Sequence, residues 1–526
     1  MFLKKNNLLI ESIILSFILI YAYFVNWHSG NIGIMPIDSF GFLDTGYSII
    51  KGHLPIRDFW IFTGLLVDYM EAFFLYAFGN NWNSHLAHSS FMNIIATSSL
   101  YFFLKEYKFK LFHNVFYCLC FATLCYPVSG TPFAYIHAYI FSLIAIFTLL
   151  IAIKKKSKTL WFLFPYICLF AFLSMQTPTA YILVILAILL TMHFLKNKDS
   201  ENLKFFLFGG ISSFLLFSLF LYLTKTPLID FIYQYILFPL TIGESRIASK
   251  EVAYIGLLDQ LNLKRLFGEF KFIHIFLFPL IILSIKKIKG NDKNTNILNF
   301  TIIFSVIAFF FNQLITANQI YIFSLIPILA SVLHYNLDNL KINSKFFYVV
   351  ILITLFTTVK FHSRFNIDRK FHELENIDKS QAIKANEINK NFKNLKWISK
   401  FEDPQNELLV IKQAIEVIDK DDRNMVLLTH YQFISTILEK RLNLLNRWYL
   451  WDNNTHPTEN HKYFKYYKLL INKNIKNNNI EVIYLLGQEN EINFENIKNY
   501  FTGVCFESKT LIQDRFSLHK IINCKK

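Results

Sequence analysis

Apolar runs of about twenty residues, the length a helix needs to cross a ~30 Å hydrocarbon core, recur along the first two thirds of the chain. They fall at approximately 8–27, 84–104, 111–127, 132–153, 159–174, 178–195, 205–224, 272–286, 297–316, 319–335 and 346–362. The pattern predicts eleven membrane-spanning helices. A further apolar stretch, FWIFTGLLVDYMEAFFLYAFG at 59–79, contains Asp68 and Glu71. An acid in a lipid-facing span costs about 3 kcal/mol on insertion scales, so this segment needs a separate decision.

The lysines decide it. If 59–79 does not cross, Lys4 and Lys5, Lys105, Lys108 and Lys110, Lys154 to Lys156 and Lys158, Lys196, Lys198 and Lys204, Lys286, Lys287, Lys289 and Lys293, and Lys341 and Lys345 all fall on one side. The short opposite loops at 80–83, 128–131, 175–177 and 317–318 contain no Lys or Arg. Positive residues concentrate on the cytoplasmic side of a membrane protein. Segment 59–79 is therefore predicted as an interfacial or re-entrant helix on the outer face. The N-terminus is then cytoplasmic, and loops 28–83 and 225–271 and the tail 363–526 lie outside, in the periplasm of a bacterial inner (plasma) membrane. The first apolar run lacks a small-residue cleavage site and reads as a retained anchor.

The tail has globular patterning. Helix is expected over 404–419, 432–440 and 495–501, and strand over 424–430 and 480–487. Two short strands are expected in the last twenty residues. Strand–helix alternation of this kind predicts a small extracytoplasmic α/β domain, with the boundary from the membrane part (1–362) at 362/363.

Composition agrees with the hydropathy. The 526 residues are 54% hydrophobic and 17% charged, against about 25% charged in a typical soluble chain. The net charge of +16 does not mark a nucleic-acid binder, because most basic residues before position 363 sit in the short lysine-bearing loops. Cys118, Cys120, Cys125 and Cys168 lie in apolar spans as small hydrophobes. Cys505 and Cys524 lie in the tail, where an oxidising compartment would let them pair.

Candidate chemistry concentrates in the first outer loop, PIDSFGFLDTGYSIIKGHLPIRDFWIFTGLLVDYMEAF. It places Asp38, Asp44, Asp58, Asp68 and Glu71 near the membrane surface, interleaved with Lys51, His53 and Arg57. Gly52 and Pro55 separate two predicted helices, 40–51 and 59–79. An acid there could act as a general base on an acceptor hydroxyl. Several together could hold a divalent cation, magnesium or manganese, that neutralises a leaving phosphate. The cations could hold the phosphate directly. In the second large loop, Arg246 is a further candidate phosphate contact. Gln176 and Thr177 at a span end could face the same site. The run His362, Arg364, Arg369, Lys370 and His372 could hold a lipid phosphate or anchor to headgroups, with anchoring the favoured reading. The segment RWYLWDNNTHP at 447–457 is aromatic and polar, as sugar-binding surfaces often are, with packing beneath a loop the favoured reading.

Taken together these features resemble the GT-C class of membrane glycosyltransferases, particularly bacterial relatives of protein mannosyltransferases and the lipid A glycosyltransferases. The resemblance rests on Asp38 about ten residues after the first span, a Gly52-to-Pro55 turn and the Arg57-Asp58-Phe59 step. It extends to an apolar juxtamembrane helix ending in Phe78-Gly79 and to Trp82 before the next span. Ser39 follows Asp38 where relatives carry a second acid, and Phe62-Thr63-Gly64 stands where many carry Lys-Pro-Pro. The resemblance implies an inverting transfer from a polyprenyl-phosphate-linked sugar to a glycan, lipid or protein acceptor. Asp38 or Asp44 would be the base, Lys51, His53, Arg57 and Arg246 the donor-phosphate contacts, and Asp58, Asp68 and Glu71 supporting acids or metal ligands. The competing classes are a multi-span transporter or flippase, an O-antigen polymerase or ligase-like protein, and an inactive envelope scaffold. Clean apolar spans and acids clustered at one end disfavour transport.

Overall fold

A computed structural model describes residues 2–126, 129–242, 263–288, 293–316, 322–342, 345–449, 453–487 and 494–524. Among the described residues, the first two thirds of the chain are mostly helical. Helix α1 (Phe2–Gly30) leads into the short α2 (Pro36–Ser39) and α3 (Leu43–Ile50). Then come α4 (Leu65–Phe78), α5 (Trp82–Glu106), α6 (Leu111–Cys125) and α7 (Ala134–Lys155). Further helices include Lys158–Ser174, Gln176–Asn197, Ser200–Leu223, Lys271–Ile288, Lys293–Thr316, Leu325–Asn339 and Lys345–His362.

The molecule is a multi-pass membrane protein, but with fewer spans than the eleven expected. Among the described residues, six helices are long and apolar enough to cross a bilayer, or seven if the pair Leu263–Glu269 and Lys271–Lys286, bent by 93°, counts as one. The shortfall has a physical cause. Leu111–Cys125 and Leu325–Asn339 have 15 residues each and Lys158–Ser174 has 17. At ~1.5 Å per residue they reach only about 23–26 Å. Helix α5 has the length, with 25 residues, but its first half carries Asn83, Ser84, His85, His88, Ser89, Ser90 and Asn93. These polar groups are largely turned inward: Asn93 Nδ2 donates to the Ala22 and Ala122 carbonyls at 2.9 and 2.8 Å.

Lysine-bearing helix ends meet one another in ion pairs. Lys105 pairs with Glu11 (2.6 Å), Lys155 with Glu106 (2.6 Å) and Lys158 with Glu201 (2.5 Å). Segment 59–79 is helical only over Leu65–Phe78; before it, Phe59 and Trp60 form isolated bridges and Phe62 and Thr63 a bend. Fourteen residues rise about 21 Å, too short to cross. Phe73, Tyr76 and Phe78 on α4 are exposed, whereas its Asp68 and Glu71 are fully buried. The helix thus shows its apolar side outward and its acids inward.

The tail forms a small mixed sheet flanked by helices. Strands β1 (Ile383–Lys384) and β2 (Lys396–Trp397) make a minor antiparallel pair. The main sheet has the order β3-β4-β6-β5, from Met425–Thr429, Val482–Leu486, Phe516–Ile522 and Cys505–Ile512. Pairing is parallel for β3–β4 and antiparallel elsewhere. Strands β3 and β4 are buried along their whole length and almost entirely apolar, as strands covered on both faces are. Helix 404–419 appears as predicted, begun by Asp403 capping Gln405 and Asn406 N–H. The predicted 432–440 helix shortens to Ile434–Leu438, and 495–501 forms two 3-10 turns. Cys505 and Cys524 are joined in a disulfide.

The first loop and the tail share their cores. Ile34, Phe40, Leu43, Tyr47 and Leu75 pack with Trp397, Leu408, Phe433 and Tyr484. Ile56, Phe59, Trp60 and Ile61 pack with Val426, Leu445, Tyr467 and Ile483. Backbone bonds stitch the two together: Ile34 N–H to Ile398 O (2.9 Å), Lys396 N–H to Asn31 O (2.9 Å) and Trp60 N–H to Leu445 O (2.8 Å).

Candidate active site

The turn that carries Asp38 is built locally. Pro36 opens α2, where its missing N–H is no loss, and the Met35 N–H donates to Ser39 Oγ at 3.0 Å. Phe40 then buries its ring against Trp397 and Phe433 at 5.7 and 4.7 Å between centroids. The indole Nε1 of Trp448 donates to the Ile37 carbonyl at 2.9 Å. Gly41 permits this approach, because a Cβ there would lie 2.4 Å from the indole nitrogen. Trp448 and Phe42 meet edge to face at 5.8 Å. Asp38 is half-buried, and its carboxylate makes no hydrogen bond among the described residues. Burial pushes its pKa up to about 6, with nearby Glu373 adding to the rise and His430 opposing it.

Asp44 is held differently. Its Oδ1 accepts from Thr436 Oγ1 (2.6 Å) and Thr436 N–H (3.2 Å) inside the shared core. Burial raises its pKa to about 6 as well, against hydrogen bonds from Thr436 and Ser435. Asp44, Ser48, Thr429, Gln432 and Ser435 line a cavity with room for about one water. Asp68 forms a fully buried ion pair with Arg447 and accepts from Thr45 Oγ1 at 2.6 Å. Arg447 also donates to the Thr63 carbonyl and lies over the Phe42 ring at 4.4 Å.

The remaining predicted residues do not converge on Asp38. Arg57 spends its guanidinium on Asp58, on the Gly52 carbonyl (2.9 Å) and on the Thr224 carbonyl (3.1 Å). Burial would raise the Asp58 carboxyl, but the Arg57 and Leu54 N–H hydrogen bonds outweigh it and hold the pKa below the ordinary value. His53 is buried against Phe59 and its pKa is pushed down to about 4 by burial, with Asp58 opposing. Lys51 is exposed at the far end of α3, about 10 Å along the axis from Asp44. Gln176 Nε2 ties the Phe62 and Tyr235 carbonyls together at 2.8 and 2.6 Å. Arg369 and His372 are buried, and Arg369 donates to the Ile32 and Ser129 carbonyls at 2.7 Å each. Headgroup anchoring by that pair is thereby replaced with an internal role. Arg246 lies outside the described residues.

The acids of the loop do not assemble a cation site. Asp58, Asp68 and Glu71 each face a different basic partner, and among the described residues no group of three or more His, Cys, Asp or Glu is arranged to hold a metal ion. The donor set therefore does not fit magnesium or manganese.

Sequence reasoning missed His430 beside Asp38 and Thr436 on Asp44, and it singled out the 447–457 segment without the partners its first residues find, Asp68 for Arg447 and the Ile37 carbonyl for Trp448. It also passed over His85, His88 and His137, which gather around Glu71. The spacing of His85 and His88, one helical turn apart in an apolar run, was the available signal. Neither a scan of protein-family models nor a search of curated proteins yields a match to this chain.

Proposed function

We propose that this protein is a membrane glycosyltransferase of the GT-C type that moves a sugar from a polyprenyl-phosphate carrier to a cell-envelope acceptor outside the cytoplasm. Asp38 is the observation that carries the reading. Of the five acids in the first loop it alone is both partly open to solvent and without a hydrogen-bonded partner among the described residues. A base needs a free lone pair within reach of substrate and a pKa near the working pH, and a value of about 6 suits that task. Asp44, enclosed by Thr436, is the weaker of the two candidates.

In the proposed reaction the Asp38 carboxylate takes the proton of an acceptor hydroxyl. The freed oxygen attacks the anomeric carbon from the face opposite the phosphate. The bond from that carbon to the phosphate oxygen breaks, and the lipid phosphate leaves with the electron pair, inverting the centre. Trp448, tied to the carbonyl of the residue before Asp38 and only partly buried, is the aromatic residue that would border the sugar. The disulfide between Cys505 and Cys524 supports an oxidising, extracytoplasmic location for the tail. On this reading the Asp38 turn, which the tail covers, also lies outside the cytoplasm.

The test uses the full chain in lipid nanodiscs with a panel of radiolabelled polyprenyl-phosphate hexoses and pentoses. Consumption of one donor by the wild type, and its loss in Asp38→Asn with insertion unchanged, is the expected result. Undiminished turnover in Asp38→Asn would sink the assignment.

A further inference from the structure

Glu71 is the centre of a buried chain of hydrogen bonds drawn from five elements. Its Oε1 lies 2.7 Å from His85 Nδ1 and its Oε2 lies 2.7 Å from His88 Nδ1. The other ring nitrogen of His85 lies 2.9 Å from the Ser39 carbonyl, next to Asp38. The other nitrogen of His88 lies 3.0 Å from His137 Nε2. His137 Nδ1 lies 3.1 Å from Tyr126 Oη. All of these side chains are buried, and Glu71, His85, His88 and His137 are fully so. Gly46 on α3 leaves the room, since a Cβ there would come within 2.6 Å of Glu71 Cγ.

Counting protons along this chain fixes the state of each ring. Burial would raise the Glu71 carboxyl, but the His85 and His88 rings on its two oxygens outweigh it and hold it below its ordinary pKa, so it is ionised. A carbonyl and a carboxylate only accept, so His85, placed between Ser39 O and this carboxylate, carries a proton on both nitrogens. His88 is not forced in the same way. The Tyr126 hydroxyl can donate to His137 Nδ1, His137 Nε2–H to His88 Nε2, and His88 Nδ1–H to Glu71 Oε2. The Phe133 N–H donates to Tyr126 Oη at 3.4 Å, which leaves the hydroxyl proton free to point at His137. The alternative, His137 Nδ1–H donating to the Phe133 carbonyl at 2.9 Å, would require a second imidazolium at His88 and leave the buried cluster with net positive charge. That carbonyl already accepts the His137 backbone N–H at 3.1 Å. The neutral arrangement gives both nitrogens of His85 and of His88 a complementary partner and buries no net charge.

We infer that His85 is an imidazolium, ion-paired to Glu71, whose second N–H holds the Ser39 carbonyl and so positions the turn that presents Asp38. The directed chain Tyr126 to His137 to His88 to Glu71 orients the carboxylate from behind. Other groups facing the pair are Asp68 on α4, itself neutralised by Arg447, and the rings of Trp82 on His85 (5.3 Å) and Phe74 on His88 (5.1 Å). The positioning role rests on the Asp38 reading above, whereas the ion pair does not.

Two measurements test this on the full chain in nanodiscs. The first is nitrogen NMR of histidine-labelled protein, with His85 assigned by its loss in His85→Gln. Both His85 nitrogens are expected to be protonated. In Glu71→Gln the amide can donate to His85 Nδ1 and accept from His88, so His85 should then be neutral with the Ser39 bond kept. A singly protonated His85 in the wild type, or an unchanged His85 in Glu71→Gln, overturns the ion pair. The second is turnover of the polyprenyl-phosphate sugar panel. Glu71→Ala and His85→Ala should lower the maximal rate by about tenfold or more with little change in donor KM, while Glu71→Gln retains it. An unchanged rate in Glu71→Ala, or a Glu71→Gln rate as low as that of Glu71→Ala, overturns positioning. An active Asp38→Asn overturns the Asp38 reading instead and leaves the spectra to decide the ion pair. If Glu71→Ala does not fold, the wild-type and Glu71→Gln spectra and rates decide.

Discussion

Asp38 and Asp44 have carboxyls raised to the same value, about 6, yet the two residues call for opposite experiments. For Asp38 the consequence is kinetic. A base works only when deprotonated, so transfer should rise with pH through about 6 and level off above it, a limb that Asp38→Asn removes along with the activity. For Asp44 the consequence is thermodynamic. Its folded-state pKa lies above the ordinary 3.8, so the folded protein holds this proton more tightly than the unfolded chain. Its contribution to stability is therefore fully present below about pH 4 and fades as the pH rises through about 6, by roughly 3 kcal/mol in total. Asp44→Asn keeps an oxygen for Thr436 and should reduce that slope, to which Asp38 and Asp68 also contribute, in thermal melts taken between pH 4 and 7. A melt as pH-dependent as the wild type would assign the slope elsewhere. Arg447 belongs to the same scale. Arg447→Met strands the buried Asp68 carboxylate and should destabilise by about 3–5 kcal/mol, whereas the double replacement with Asp68→Leu should recover much of the loss.

At the scale of elements, the chain's hydropathy places nearly every helix where it forms, because lipid-facing and core-facing residues are alike apolar and the run length is local information. The count of spans is harder to read, since three apolar helices prove too short and α5 too polar, and hydropathy averages over both faults. Loop chemistry was legible as residue types but not as partners. Arg57, adjacent to Asp58, looked like a phosphate ligand and is instead its neighbour's counter-ion. His430 and Trp448 sit some four hundred residues along from the turn they flank, and nothing periodic links them to it. The packing of α3 on α4 gives an element-level prediction. Gly46→Ala forces a methyl against Glu71 and should cost about 1–3 kcal/mol, read as a lowered midpoint of thermal unfolding.

At the scale of the whole molecule, the tail is joined to the first loop by backbone bridges, two shared cores and one buried ion pair. Its outer hairpin is closed by the Cys505–Cys524 bond across a separation of 19 residues. Reducing that bond frees a loop whose closure is worth about 3 kcal/mol in the chain-entropy picture. Mild reductant should lower the tail's unfolding midpoint while leaving the membrane helices' circular dichroism unchanged.

The shared cores also bear on how the chain is made. Asp68 leaves the ribosome 379 residues before Arg447, the cation that neutralises it. At ~5–20 residues per second the interval is roughly 20–80 s. Throughout it Phe40, Trp60 and the loop carboxylates have no tail to close over them, so the nascent first loop must wait at the membrane surface as an unfinished half of a fold. A chain arrested before residue 447 should therefore be a preferred target of membrane quality control, and its survival would depend on whatever shields that half until synthesis is complete.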